Sequence, residues 1–315
     1  MFNQYTTYLL PPRAIYTPYW QSVNTAYGAA ILDRTDTMDF GFKYKTLTPI
    51  PELIQYSESF AQTCEKAGWV LVTKAQENDC LINLMWSGGI DSTVALISII
   101  KTGKTERLRV LLSPASVAEY PLFFDTFIKD KLNYSLTDDP KSQMRVQDIN
   151  VTGEIGDQLF GSAAILKAYE SGKLFAPYAE YMHKGFLRKL EAQIAKCPIE
   201  LTTTFDFLWW FNFSMKYQNV QLRIYPSVQL PYGKITHFFD TTEFQLWSMN
   251  NPDKKIKNTP ESYKFTAKDY IYEFTKDAEY RDNKLKIGSL QLGGVPFCIT
   301  EDFKCIKVSN YATTV

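Results

Sequence analysis

The 315-residue chain carries 34 Lys plus Arg against 34 Asp plus Glu, so no basic surplus exists to neutralise a nucleic-acid backbone non-specifically. Apolar residues at 45%, with 21 Phe, 20 Tyr and 6 Trp, exclude wholesale disorder, and the length suits one large α/β unit with an appended lobe. The five cysteines form no CxxC pair and only His183 and His237 are present, so neither a disulfide framework nor a zinc site is expected, and the chain reads as cytoplasmic. No export signal or membrane span is expected, because the longest apolar run, 94–100, is far shorter than the ~18 residues a span needs.

In chain order, residues 1–50 read as an extended arm, since Pro11, Pro12, Pro18, Pro49 and Pro51 deny backbone donors and block long helices. Apolar spacing predicts a helix over 52–67, stopped by Gly68. A buried strand follows at 81–86, then a Ser87-Gly88-Gly89 loop and a helix over 93–100. A second strand at 108–112 precedes a helix-like stretch, 115–132, and a third at 149–152 ends at Gly153 before a helical segment, 158–169. Strands alternating with helices imply a parallel sheet. Beyond Tyr169 the strand signals fade, and 178–196, 203–217 and 263–280 look helical, followed by a basic loop over 283–294. The organisation expected is an arm over 1–50 and one domain over 51–315, with an α/β core at about 75–170 and a helical part at about 171–315. The aromatic run 205–213 lacks interleaved Lys or Arg and reads as core rather than a base-stacking surface.

Ser87-Gly88-Gly89-Ile90-Asp91-Ser92-Thr93 lies between a strand and a helix, where backbone N–H groups and a helix amino terminus can hold an anion. Asp91 would repel bare phosphate, so a divalent cation bridging it to phosphate oxygens is expected. The plainer alternative is a turn capped by Ser92. No lysine follows the glycines, so this is not a Walker loop. Over all seven residues the segment resembles the PP-loop of the ATP pyrophosphatase superfamily, SGGxDS[ST]. That resemblance implies a Rossmann-like (HUP/PP-loop) parallel sheet, ATP and Mg2+ as cofactors, and cleavage to AMP and pyrophosphate. It assigns nucleotide binding to Ser87, Gly88, Gly89, Asp91, Ser92 and Thr93.

Thr152-Gly153-Glu154-Ile155-Gly156-Asp157-Gln158-Leu159-Phe160-Gly161 resembles the SGEGSDE-hydrophobic-FGG loop of the asparagine synthetase C-terminal domain and of its relative β-lactam synthetase. The resemblance implies an AMP-forming C–N ligase that adenylates a carboxylate and passes it to ammonia or an amine. It places Gly153 at the pyrophosphate, Asp157 with Asp91 as magnesium carboxylates, and Glu154 as the general base for the incoming amine. Gln158, Ile155 and Ser162 depart from the family pattern, standing where it has an acidic residue and two glycines. Phe238-Phe239-Asp240 looks like the family's PFLD element, and the segment from Lys284 to Gly288 resembles its R-x-K-x-G loop. This implies Lys286 as the cation that stabilises developing charge, with Lys284 as the competing choice. The similarity spans 52–288. Residue 2 is Phe2 rather than a nucleophilic cysteine, so glutamine hydrolysis within this chain is not expected, and nitrogen would come from ammonia, an amine, or a separate glutaminase subunit. Two other readings are a nucleobase- or tRNA-modifying PP-loop enzyme and a catalytically reduced ATP-binding module.

Overall fold

Five parallel strands form the central sheet of the computed structural model, which describes residues 8–9, 31–38, 44–161, 164–228, 230–284, 297–299 and 305–307. They are β1 (Ile82–Met85), β2 (Leu108–Leu112), β3 (Asn133–Leu136), β4 (Ile149–Thr152) and β5 (Ile235–His237), in the spatial order β3-β2-β1-β4-β5. The chain builds outward from β1 to β3, then returns to the other side of β1 to lay down β4. The direction of winding therefore reverses between β1 and β4, which is where open α/β sheets bind ligands beyond the carboxyl ends of their strands.

The apolar runs bury as continuous strands should when both faces are covered: Leu84, Val110, Leu111, Leu112 and Val151 are inaccessible to solvent. One polar pair interrupts them. Asn83 donates its Nδ2 to Asn150 Oδ1 at 3.2 Å, and Asn150 Nδ2 donates to the carbonyls of Arg145 and Lys234 at 2.8 and 3.1 Å. A register slip between β1 and β4 would leave these buried amides unpaired, at about 1–3 kcal/mol each.

The sheet belongs to a compact unit made of Ile54–Gly156 and Tyr225–Ile287. Within it α1 (Phe60–Glu77) packs on α2 (Ile90–Ile100), and α2 on a later helix, Phe265–Thr275. The helix expected over 52–67 is thus displaced. Ser59 caps α1 reciprocally with Gln62, its Oγ accepting from Gln62 N at 3.2 Å, and the helix runs straight through Gly68. Gly68 does not stop the helix; a Cβ there would collide with the main-chain carbonyl of Ser98, so its absence is what lets α1 and α2 touch. The stretch 115–132 is likewise not one helix. It divides into Pro114–Glu119 and Pro121–Phe123, continuing as a π-helical turn, Phe124–Ile128, because Pro121 cannot extend the preceding ladder. Strands β3 and β5 were not anticipated. Asn133-Tyr134-Ser135-Leu136 is a partly exposed edge strand without an apolar run, and β5 is only three residues long.

The second unit comprises Met1–Leu53, Asp157–Ile224 and Gly288–Val315. Its sheet joins Tyr8–Leu9, Cys305–Lys307 and Phe297–Ile299. The stretch 178–196 forms three short helices, Tyr178–Tyr181, Lys184–Lys189 and Glu191–Ala195. Its aromatic core is carried by a helix, Thr204–Phe211, capped reciprocally by Thr203 and Asp206, that continues through a π-helical turn, Asn212–Lys216. The turn shifts the ladder and frees successive carbonyls, which the arm satisfies. Arg34 Nη1 donates to Phe213 O at 2.8 Å, Arg34 N to Ser214 O at 3.0 Å and Leu32 N to Met215 O at 2.8 Å. The Arg34 guanidinium also lies 3.8 Å from the Tyr217 ring centroid. Among the described residues no helix is long and apolar enough to cross a membrane.

Candidate active site

The loop after β1 rises from Trp86, and Gly88 takes φ +76°, a turn that an L side chain rarely adopts. Gly89, not Ser92, occupies the amino-terminal cap of α2, and it supplies no side-chain oxygen to the first-turn N–H groups. Those donors are the ones a helix leaves unpaired at its start, and here they lie at the winding reversal of the sheet. Ser92 braces the loop from within. Its hydroxyl accepts from Ser87 N at 3.1 Å and donates to Gly89 O at 3.2 Å. Thr93 is fully buried and its Oγ1 accepts from the Trp86 indole at 3.0 Å, so it supports the loop from beneath.

The loop after β4 lies directly against the first. A Cβ on Gly153 would come within 2.6 Å of Ser92 N and 2.9 Å of Asp91 C, and a Cβ on Gly156 would overlap the Asp91 carboxylate. Two segments some sixty residues apart in sequence, each read independently as a ligand loop, are thus nested because glycine stands at their contact points. Glu154 lies between these glycines, half-buried, with its N–H donated to Thr152 Oγ1 at 3.3 Å. Ile155, where the family pattern has glycine, keeps a glycine-like backbone at φ +78° with its side chain buried. A β-branched residue in that region is strained by about 1–3 kcal/mol.

Asp91 has a partner that motif reading did not find. Lys264 Nζ donates to both of its oxygens at 2.6 Å, and the lysine side chain is 2% exposed. Lys264 caps the helix Phe265–Thr275 from a left-handed conformation, φ +61°. No spacing rule flags it, because its nearness to Asp91 is a product of helix packing.

A further wall closes on the first loop. Tyr280 donates its hydroxyl to Gly88 O at 3.1 Å and stacks on Tyr120 at 3.8 Å between centroids. Burial, reinforced by Tyr120, pushes the Tyr280 hydroxyl well above the usual tyrosine range, so it stays a donor. Beside them Lys284 pairs with Glu119, whose Cβ is 2.7 Å from where a Gly88 side chain would begin.

Ser87, Gly88, Gly89, Asp91, Ser92, Thr93, Gly153 and Glu154 all belong to the sheet-bearing unit. Asp157, on the short helix Gly156–Phe160, begins the other unit, where its carbonyl accepts from Asn212 Nδ2 at 2.8 Å. Gln158 is buried there, donating Nε2 to Asn212 Oδ1 at 3.2 Å. Lys286 and Ser162 lie outside the described residues. Compared with known proteins, the chain matches no family model and no curated sequence at a significant level.

Proposed function

We propose that this chain is an ATP- and magnesium-dependent, AMP-forming C–N ligase of the PP-loop type, built on a Rossmann-like sheet. The observation that carries the reading is the nesting of Gly153 and Gly156 on Ser92 and Asp91, which joins an anion cradle to a loop bearing a carboxylate, Glu154. In the first step a substrate carboxylate oxygen attacks the α-phosphorus of ATP and pyrophosphate leaves. In the second an amine or ammonia attacks the acyl carbon, its proton passes to Glu154, and AMP leaves. The first-turn N–H groups of α2 and the Ser87 to Gly89 loop would hold the polyphosphate.

Magnesium would supply charge neutralisation at the phosphates, and the residues present fit it. Asp91 would offer its carboxylate to the cation, which would share or displace the contact that Lys264 now makes with both oxygens. The resemblance implies Lys286 as the cation for charge developing on the leaving group; the competing choice, Lys284, pairs with Glu119 beside Gly88. The nitrogen donor is free ammonia, an amine substrate or the product of a separate glutaminase subunit.

The test is nucleotide product analysis with ATP, magnesium, ammonia and a small-metabolite extract. Wild type should release AMP and pyrophosphate, and Asp91→Asn should lower the rate by about 10²-fold or more. ATP retained without AMP release would turn the reading into a binding module.

A further inference from the structure

His237, one of two histidines in the chain, is the last residue of β5. It is buried and paired in register with Thr152, the last residue of β4. Its Nδ1 lies 2.7 Å from Thr152 Oγ1, and the main chain on either side is fixed, with Phe238 N donating to Thr152 O at 2.9 Å. The same Thr152 hydroxyl accepts the N–H of Glu154 at 3.3 Å. A hydroxyl has one hydrogen and two lone pairs, so it can donate to Nδ1 or accept from Nδ1–H and in either case keep a lone pair for the Glu154 N–H. One residue further on, Ile155 is held at φ +78° with its side chain buried. Such a conformation persists only where its surroundings over-determine it.

We propose that His237 is a positioning residue for Glu154: through the Thr152 hydroxyl it pins the start of the second loop and holds the strained backbone at Ile155. The proposal rests on the reading of Glu154 as the amine-side base.

Purified full-length His237→Ala, His237→Asn, His237→Gln, Ile155→Gly and the His237→Ala/Ile155→Gly double variant test it by two readouts. One is amide hydrogen exchange across 153–157; the other is kcat and KM for ATP in AMP release. His237→Ala should speed exchange at Glu154 and Ile155 and lower kcat about tenfold with KM for ATP little changed, since the nucleotide cradle is on the other loop. Asn places a polar atom where Nδ1 lies and should restore both readouts, whereas Gln, which mimics the far ring nitrogen, should not. Ile155→Gly should suppress much of the His237→Ala defect by removing the strain. Equal rescue by Asn and Gln, additive effects in the double variant, or unaltered exchange in His237→Ala would overturn the proposal. If wild type forms no AMP the ligase reading fails, while the exchange data still decide whether His237 braces the loop.

Discussion

Around the helix Thr204–Phe211 and its π-helical continuation, polar groups are spent inside the protein: Trp209 donates to Leu159 O at 3.1 Å, Trp210 to Gln193 O at 3.0 Å, and the freed carbonyls receive Arg34 and Leu32. In the loops after β1 and β4 the opposite holds. Side chains are withheld at Gly88, Gly89, Gly153 and Gly156, the amino end of α2 has no side-chain cap, and Ile155 keeps a strained backbone. The first region converts aromatic area and closed hydrogen bonds into stability. The second carries strain and a helix start without a side-chain cap, at the place in the sheet where winding reverses.

The largest effect that would sharpen this contrast is expected at Trp210. Trp210→Ala empties a fully buried site and should cost about 3–5 kcal/mol, read as a lower denaturation midpoint with the AMP-forming rate per folded molecule unchanged. A loss of rate without a loss of stability would break the comparison, because the aromatic region would then belong to the chemistry.

Gly153→Ala should behave in the reverse sense. Its Cβ meets main-chain atoms of Ser92 and Asp91, which have no rotamer with which to yield, so the loops must part. Stability should fall by about 1–3 kcal/mol, while ATP affinity, measured by calorimetry, should fall out of proportion to it. Unchanged affinity would show that the nested loops are not the nucleotide site.

The smallest effect concerns alkaline pH. Burial raises the hydroxyls of Tyr120, Tyr270 and Tyr280 above their usual value. Above about pH 10 the unfolded chain therefore loses protons that the folded chain keeps, so stability present below that pH declines as pH rises. Lys268, lowered by burial, acts in the opposite direction, but it stands alone against several groups raised by burial, Tyr56, Tyr232 and Cys64 among them. Tyr270→Phe should flatten the decline by at most about 1.4 kcal/mol per pH unit in urea titrations between pH 9.5 and 11.5. An unchanged slope would remove Tyr270 from the linkage.

Much of the candidate site could be read without coordinates. The runs 81–86, 108–112 and 149–152 fall on β1, β2 and β4, and the glycine loops after the first and third are the ones that meet. These elements were legible because strand, glycine turn and helix start are consecutive in the chain. What escaped was long-range. Lys264 reaches Asp91 across 173 positions, His237 reaches Thr152 across 85, and Glu119 meets Lys284 across 165. Gly68 misled for the same reason, since its significance is a neighbouring backbone rather than its own helix.

The sequence by itself determined the alternation of buried strands and helices, the glycine-lined loops and their acidic residues, because hydrophobic period and turn chemistry are properties of short segments. Only the tertiary structure decided the strand order, the edge strands β3 and β5, and which lysine and histidine attend the loops. Those depend on which elements pack together, and packing is fixed by burial summed over the whole chain rather than by any window of it.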